Sequence, residues 1–381
     1  PVRAVSTPHS HRGGAGAEEP APPPPPDEKT DRYGFYMSDK VHRSRELEPA
    51  EKARRMKKEE QRTKKWLRML SEWDAFERKG KLKARIRKGI PDSLRGRVWC
   101  RIVDIPGYRA AYPNLYTELV ALQAGAGVEP TDIYQTIERD INRTFPRHQL
   151  FGRHNPMGQN MLRRVLHSYS LYDEELGYCQ GMGFITAMFL SYITEEDAFY
   201  LLVRVINRPG SHLRGLFIQG MPMVIVILRT FDALLRVVLP RLHAKFQREG
   251  IDPSMFATEW FITVFTASFP FDLVTRVWDC FLYEGWKVVY RVALALLQKH
   301  EAQVLRMEFE QILDHLKHKL PREVDGEEIM RLAARVRITR RMIQQHLEAA
   351  CAESHITETA YGVADHDAGS PPPPPSAAAQ S

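Results

Sequence analysis

Cysteine is scarce in this 381-residue sequence, with only Cys100, Cys179, Cys280 and Cys351. They are widely spaced and form no CxxC pair, which argues for reduced thiols rather than a disulfide framework. Other signatures are missing too. There is no GxxxxGK[ST] phosphate loop, no GxGxxG after a strand and no HExxH helix, so nucleotide binding and zinc hydrolysis of those types are excluded. Hairpin signals are almost absent, and Asp325-Gly326 precedes a helical pattern rather than joining two strands. No repeat of fixed period appears. The first residues have no apolar core behind their charges, so no signal peptide is expected. The longest apolar run, residues 177–194, carries Gln180, Ser191, two tyrosines and three glycines, and reads as a buried helix with a polar entry rather than a membrane span.

What remains is apolar periodicity and a modest excess of positive charge. A hydrophobic content of 43% allows a large core and one or two domains. The net charge of +7 permits attraction to acidic proteins or anionic membranes without implying nucleic acid. Residues 1–30, with Pro22 to Pro26, and the tail through Pro371 to Pro375 cannot pack a core and read as disordered. Each proline run is a candidate SH3 ligand, with a plain solvated tail as the default. Residues 46–79 read as a charged helical rod, within a helical extension over 31–86. Its single apolar stripe is Trp66, Leu70, Trp73 and Phe76.

Gly89-Ile90-Pro91 through Trp99 reads as a domain entry, with Pro91 suited to a first helical turn. After a small-residue linker at 123–130, Asp132 and Gln135 suggest a capped helix bearing Ile137, Ile141 and Phe145, ended by Pro146. Helical patterns continue over 159–172, 181–193, 195–205, 222–239, 256–268, 271–283, 288–298, 307–319 and 327–350. The fold class is therefore all-α. The last helix, within a basic amphipathic segment at 321–352, has Ile329, Leu332, Val336, Ile343 and Leu347 on one face and five arginines on the rest. Packing on the domain with a wet basic face is the first reading, and an anionic membrane surface is the second. His315 and His318 fall on an expected surface helix, with too few neighbours for a metal site. Cys179 would need a partnered histidine to act as a nucleophile.

Two stretches stand apart: Ile137-Glu-Arg-Asp140-Ile-Asn-Arg143-Thr-Phe-Pro146 and Gly177-Tyr178-Cys179-Gln180-Gly181-Met182. Asp140 and Arg143 are helical i, i+3 neighbours, and Gln180 lies in a tight glycine-flanked turn. Taken alone, they are a surface ion pair and a satisfied polar residue at a helix start.

Ile137-x-x-Asp140-x-x-Arg143 and Tyr178-x-Gln180-Gly-Met resemble the two signature motifs of the TBC domain, the Rab GTPase-activating fold. The entry segment at 89–99 and Arg276-Val-Trp278-Asp279 with Glu284-Gly285 are similar to that family's opening and closing motifs, so the resemblance covers residues 87–320. Asp31-Arg-Tyr-Gly-Phe35 and Thr63-Lys-Lys-Trp66-Leu are most similar to the RN-tre-like branch. The resemblance implies a TBC helical array in which Arg143 is an arginine finger and Gln180 a glutamine finger. Asp140 and Tyr178 would support them, and Trp278 would pack. It further implies a GTPase activator rather than a stand-alone enzyme, acting on a GTP-bound Rab. No cofactor or metal would be held in this chain, because GTP and Mg²⁺ would belong to the partner. A cytoplasmic location, peripheral on endomembranes, follows from that role. The alternatives are a non-catalytic scaffold for a GTPase or adaptor, and a membrane-surface adaptor using the basic helices.

Overall fold

The computed structural model describes residues 29–37, 49–125, 132–208 and 213–356. Among these the fold is all-α, and the β pairing consists of two isolated bridges, Thr30 with Tyr36 and Phe35 with His148. The expected tails lie outside the described residues except at their inner edges. Most of the small-residue linker lies outside them too.

Among the described residues the helices Pro49–Ser71 and Trp73–Arg78 follow residues 29–37, so the expected rod is broken in two at Glu72. Its apolar stripe faces inward as the spacing requires. Trp66 and Trp73 are buried, and the Trp66 indole donates to the Gly89 carbonyl at 3.1 Å. Within the expected extension at 31–86, the described helices run from Pro49, whereas residues 31–37 are not helical. They form a turn bridged to the domain, because Asp31 captures the backbone N–H groups of Tyr33 and Phe35.

At the centre of the core, helix Met182–Leu190 is apolar on every side and almost wholly buried, so the run at 177–194 is a buried helix. Helices Pro156–Tyr172 and Glu195–Asn207 pack against it. The first starts at Asn155, whose side chain accepts from the Gly158 N–H at 3.2 Å, with Pro156 in the first turn. The second is capped by Thr194, ahead of three acidic residues that suit the positive end of the helix dipole.

Three further expectations fail for local reasons. The C-terminal segment is two helices, Gly326–Arg335 and Arg340–Glu353, separated where Val336 and Thr339 are extended. Val336 and Ile338 are buried across that break, and Thr339 caps the second helix through the Met342 N–H. Both helices pack on the domain through Ile329, Ile343 and Leu347, and leave their arginines in solvent. His315 is buried rather than at the surface. It sits in a π-helical stretch, His315–Lys319, with its Nε2 3.0 Å from Nδ1 of His300. Phe145 does not continue the preceding helix, because it adopts φ 45 just past the helix end.

Candidate functional site

The Asp132–Arg143 helix buries Ile137 and Ile141, and this turns Asp140 into the protein as well. Asp140 is only 3% exposed and serves as a hub rather than one half of a surface ion pair. Its Oδ1 accepts from Arg143 Nε at 2.5 Å. Its Oδ2 accepts from the Tyr178 hydroxyl and from the Gly181 N–H at 3.4 Å. One buried carboxylate therefore ties together the two stretches that stand apart in the sequence. Burial, reinforced by the charge of Asp140, pushes the Tyr178 phenol up, so it remains a protonated donor.

Gly181 is required in this turn. Its φ of 108 lies in a region that side-chain-bearing residues rarely adopt, and it directs its N–H at Asp140 while starting the next helix. The turn leaves Gln180 exposed. In the amide orientation that satisfies both groups, Gln180 Oε1 accepts from Arg143 Nη1 at 2.9 Å and Nη2 at 2.7 Å. Arg143 is thus fixed at Nε by a buried anion and presents its two-nitrogen end at the surface, where its side chain is 43% exposed. The Phe184 ring lies below it, 5.9 Å from the guanidinium carbon.

All four residues expected at the site, Asp140, Arg143, Tyr178 and Gln180, are brought together. Trp278 lies elsewhere, fully buried, with its indole donating to Thr266 at 2.9 Å. The cysteine beside the glutamine is poorly suited to nucleophilic chemistry, because burial and then the nearby Asp140 push the Cys179 thiol up. Among the described residues no cluster of three or more His, Cys, Asp or Glu could hold a metal, and no helix is long and apolar enough to cross a membrane. The arrangement offers an always-charged bidentate donor beside a carboxamide that can donate and accept, on a surface open to another molecule.

Phe184 and Phe145 were not singled out as site residues from the sequence. The available signal was their position, two residues beyond Met182 and two beyond Arg143.

The sequence profile of the Rab-GTPase-TBC domain family matches residues 92–305. The human ecotropic viral integration site 5 protein homolog is 34% identical over 266 residues, covering 68% of this chain and 31% of that protein. Rab GTPase-activating protein tbc-11 of Caenorhabditis elegans is 35% identical, covering 69% of this chain and 28% of its own length. The chain thus spans about a third of these longer relatives. Drosophila melanogaster TBC1 domain family member whacked is 33% identical, with 70% of each chain covered. Among solved structures, the Chlamydomonas flagellar RabGAP TBC domain superposes with a TM-score of 0.60 at 29% identity, covering 80% of this chain and 98% of that one.

Proposed function

Because this chain belongs to the Rab-GTPase-TBC domain family, we propose that it accelerates GTP hydrolysis on a Rab-type small GTPase, with Arg143 and Gln180 supplied in trans. The observation that carries this reading is the anchored guanidinium: Nε held by buried Asp140, both Nη groups facing the Gln180 amide at the surface. Hydrolysis of GTP needs charge stabilisation and an aligned water, and little covalent help. A guanidinium fixed before binding stabilises charge on the β- and γ-phosphate oxygens without reorganising during reaction. Those oxygens would replace Gln180 Oε1 on the Nη donors. The freed carboxamide would then accept a hydrogen bond from the attacking water and orient it toward the γ-phosphate. GTP and Mg²⁺ arrive with the partner. On this reading the chain works in vesicle trafficking, at the cytoplasmic face of a membrane that carries the Rab.

The test is single-turnover hydrolysis across a panel of GTP-loaded Rabs. Acceleration of one or a few Rabs should fall by about 10³–10⁵-fold in Arg143→Ala and by about 10²-fold or more in Gln180→Ala, with both variants folded. If a Rab binds and its hydrolysis is not accelerated, the chain is a non-catalytic scaffold, and acceleration that survives in both variants overturns the two-finger assignment.

A further inference from the structure

Residues 29–37 lie outside the stretch matched by the family profile, yet they are docked beside the arginine. Asp31 organises the segment. Its Oδ1 accepts from the N–H groups of Tyr33 at 2.8 Å and Phe35 at 3.0 Å, folding the chain into a tight turn. Gly34 sits at φ 92, and a Cβ there would stand 2.8 Å from Nε2 of His148, so only glycine fits. The backbone then locks to the loop after Arg143, with the Gln149 N–H donating to the Gly34 carbonyl at 2.8 Å and the Tyr36 N–H to the Arg147 carbonyl at 2.9 Å. On the same side the Tyr36 hydroxyl lies 2.9 Å from His154 Nε2.

This docking inserts Phe35 edge-on among Phe145, His148 and Phe271, with ring centroids at 5.5, 4.8 and 4.8 Å. Phe145 is the left-handed residue two positions after Arg143, a conformation that persists only when its surroundings enforce it. The Phe145 ring meets Phe184 edge-on at 5.3 Å, and Phe184 carries the Arg143 guanidinium. A continuous set of contacts thus runs from Phe35 through Phe145 and Phe184 to Arg143.

We infer that residues 29–37 are a clasp and that Phe35 is a positioning residue, holding the Phe145–Phe184 platform on which Arg143 is presented. The inference rests on the role given to Arg143 above. Removing the ring lets the platform relax and the guanidinium drift, so transition-state stabilisation is lost more than partner binding.

The test uses the full chain and a Rab that it activates. In Phe35→Ala, kcat should fall by about 10- to 100-fold with KM for the GTP-loaded Rab nearly unchanged. Affinity for the Rab loaded with GDP and aluminium fluoride should fall by a similar factor, and affinity for the non-hydrolysable GTP-analogue form should not. Phe35→Leu, which keeps most of the bulk, should recover much of the rate, and Phe35→Val, which keeps much less, serves as the probe if the alanine variant does not fold. In an Arg143→Ala background, Phe35→Ala should cost nothing further. A folded Phe35→Ala or Phe35→Val variant that matches the unmodified chain, or that adds its full loss to Arg143→Ala, overturns the clasp alone. An Arg143→Ala variant with undiminished activity overturns the finger assignment and this inference with it.

Discussion

Asp140 has two oxygens and receives three donors, so its contribution is resolved by removing the donors and the acceptor separately. Tyr178→Phe deletes one neutral hydroxyl donor and leaves Arg143 and the Gly181 N–H in place. That change should cost about 1 kcal/mol of stability and a modest part of any activation. Asp140→Ala does more, because it strands the mostly buried Tyr178 hydroxyl and releases Arg143 Nε together. About 2–4 kcal/mol is expected, with a loss of GTPase activation approaching that of Arg143→Ala. Asp140→Asn keeps the shape but trades an anion for an amide, and should fall between. Urea midpoints and single-turnover rates on the same three variants check both orders. If Tyr178→Phe proves the most damaging of the three, the tyrosine does something at the surface beyond supporting the aspartate. The i, i+3 spacing of Asp140 and Arg143 is legible in the sequence, but the burial of Asp140 is not. It depends on how far the Ile137–Ile141 face rotates into the core, and on a tyrosine brought in from a distant turn.

At the scale of elements, the helix bearing Arg143 is legible because two isoleucines repeat at helical spacing. Where it stops is less so. Periodicity alone extends it to Phe145, whereas that residue is left-handed and packs its ring against Phe35, Phe184 and Phe271. The clasp itself escapes periodicity, being held by backbone pairing to residues remote in the chain. Its docking carries a pH signature. His148 is 1% exposed, its Nε2 lies 2.7 Å from the Tyr33 carbonyl, and its Nδ1 accepts from the Leu150 N–H at 3.1 Å. The docked ring is therefore a neutral, singly protonated imidazole. Burial holds its pKa below the ordinary histidine value, outweighing the upward pull of the Tyr33 carbonyl and the Asp31 carboxylate. An undocked ring takes up a proton near pH about 6.5, and the docked ring resists doing so. Docking is thus at full strength above that pH and weakens progressively as the pH falls below it. Hydrogen exchange of the amides of Phe35, Tyr36 and Gln149 should accelerate between pH 7.5 and 5.5 beyond the intrinsic change in exchange rate. In His148→Gln that excess should vanish. An excess that survives the substitution would place the titrating group elsewhere.

Across the whole molecule, the two outer motifs turn out to be one structure. Asp279, fully buried, accepts from Arg95 Nε at 3.1 Å, from the Trp99 indole at 2.9 Å and from the Ile90 N–H at 3.5 Å. Arg95 returns a donor to the Ile90 carbonyl at 2.9 Å, and Arg276 reaches the Arg87 carbonyl at 2.8 Å. The motifs resemble an entry and an exit in the sequence, and in the fold they fasten the start of the domain to the helix Phe271–Glu284 behind the core. Burial works against the charge on Arg95, but Asp279, Tyr192 and Asp92 outweigh it and raise its pKa, so the guanidinium stays charged. Burial pushes the Asp279 carboxyl up, against the pull of Arg95, Arg276 and the Trp99 indole, so its charge depends on those partners staying in place. Arg95→Met leaves the fully buried Asp279 without its guanidinium and should cost about 3–5 kcal/mol, whereas Asp279→Ala should cost less, because Arg95 keeps its pair with Asp92. The double variant Arg95→Met with Asp279→Leu leaves neither charge stranded, so it should lose much less than the sum of the two and can approach the original stability. Urea unfolding of the four chains measures that coupling. If the losses simply add, Arg95 and Asp279 act independently, and the two motifs are joined by apolar packing around Trp99 and Trp278 rather than by the ion pair.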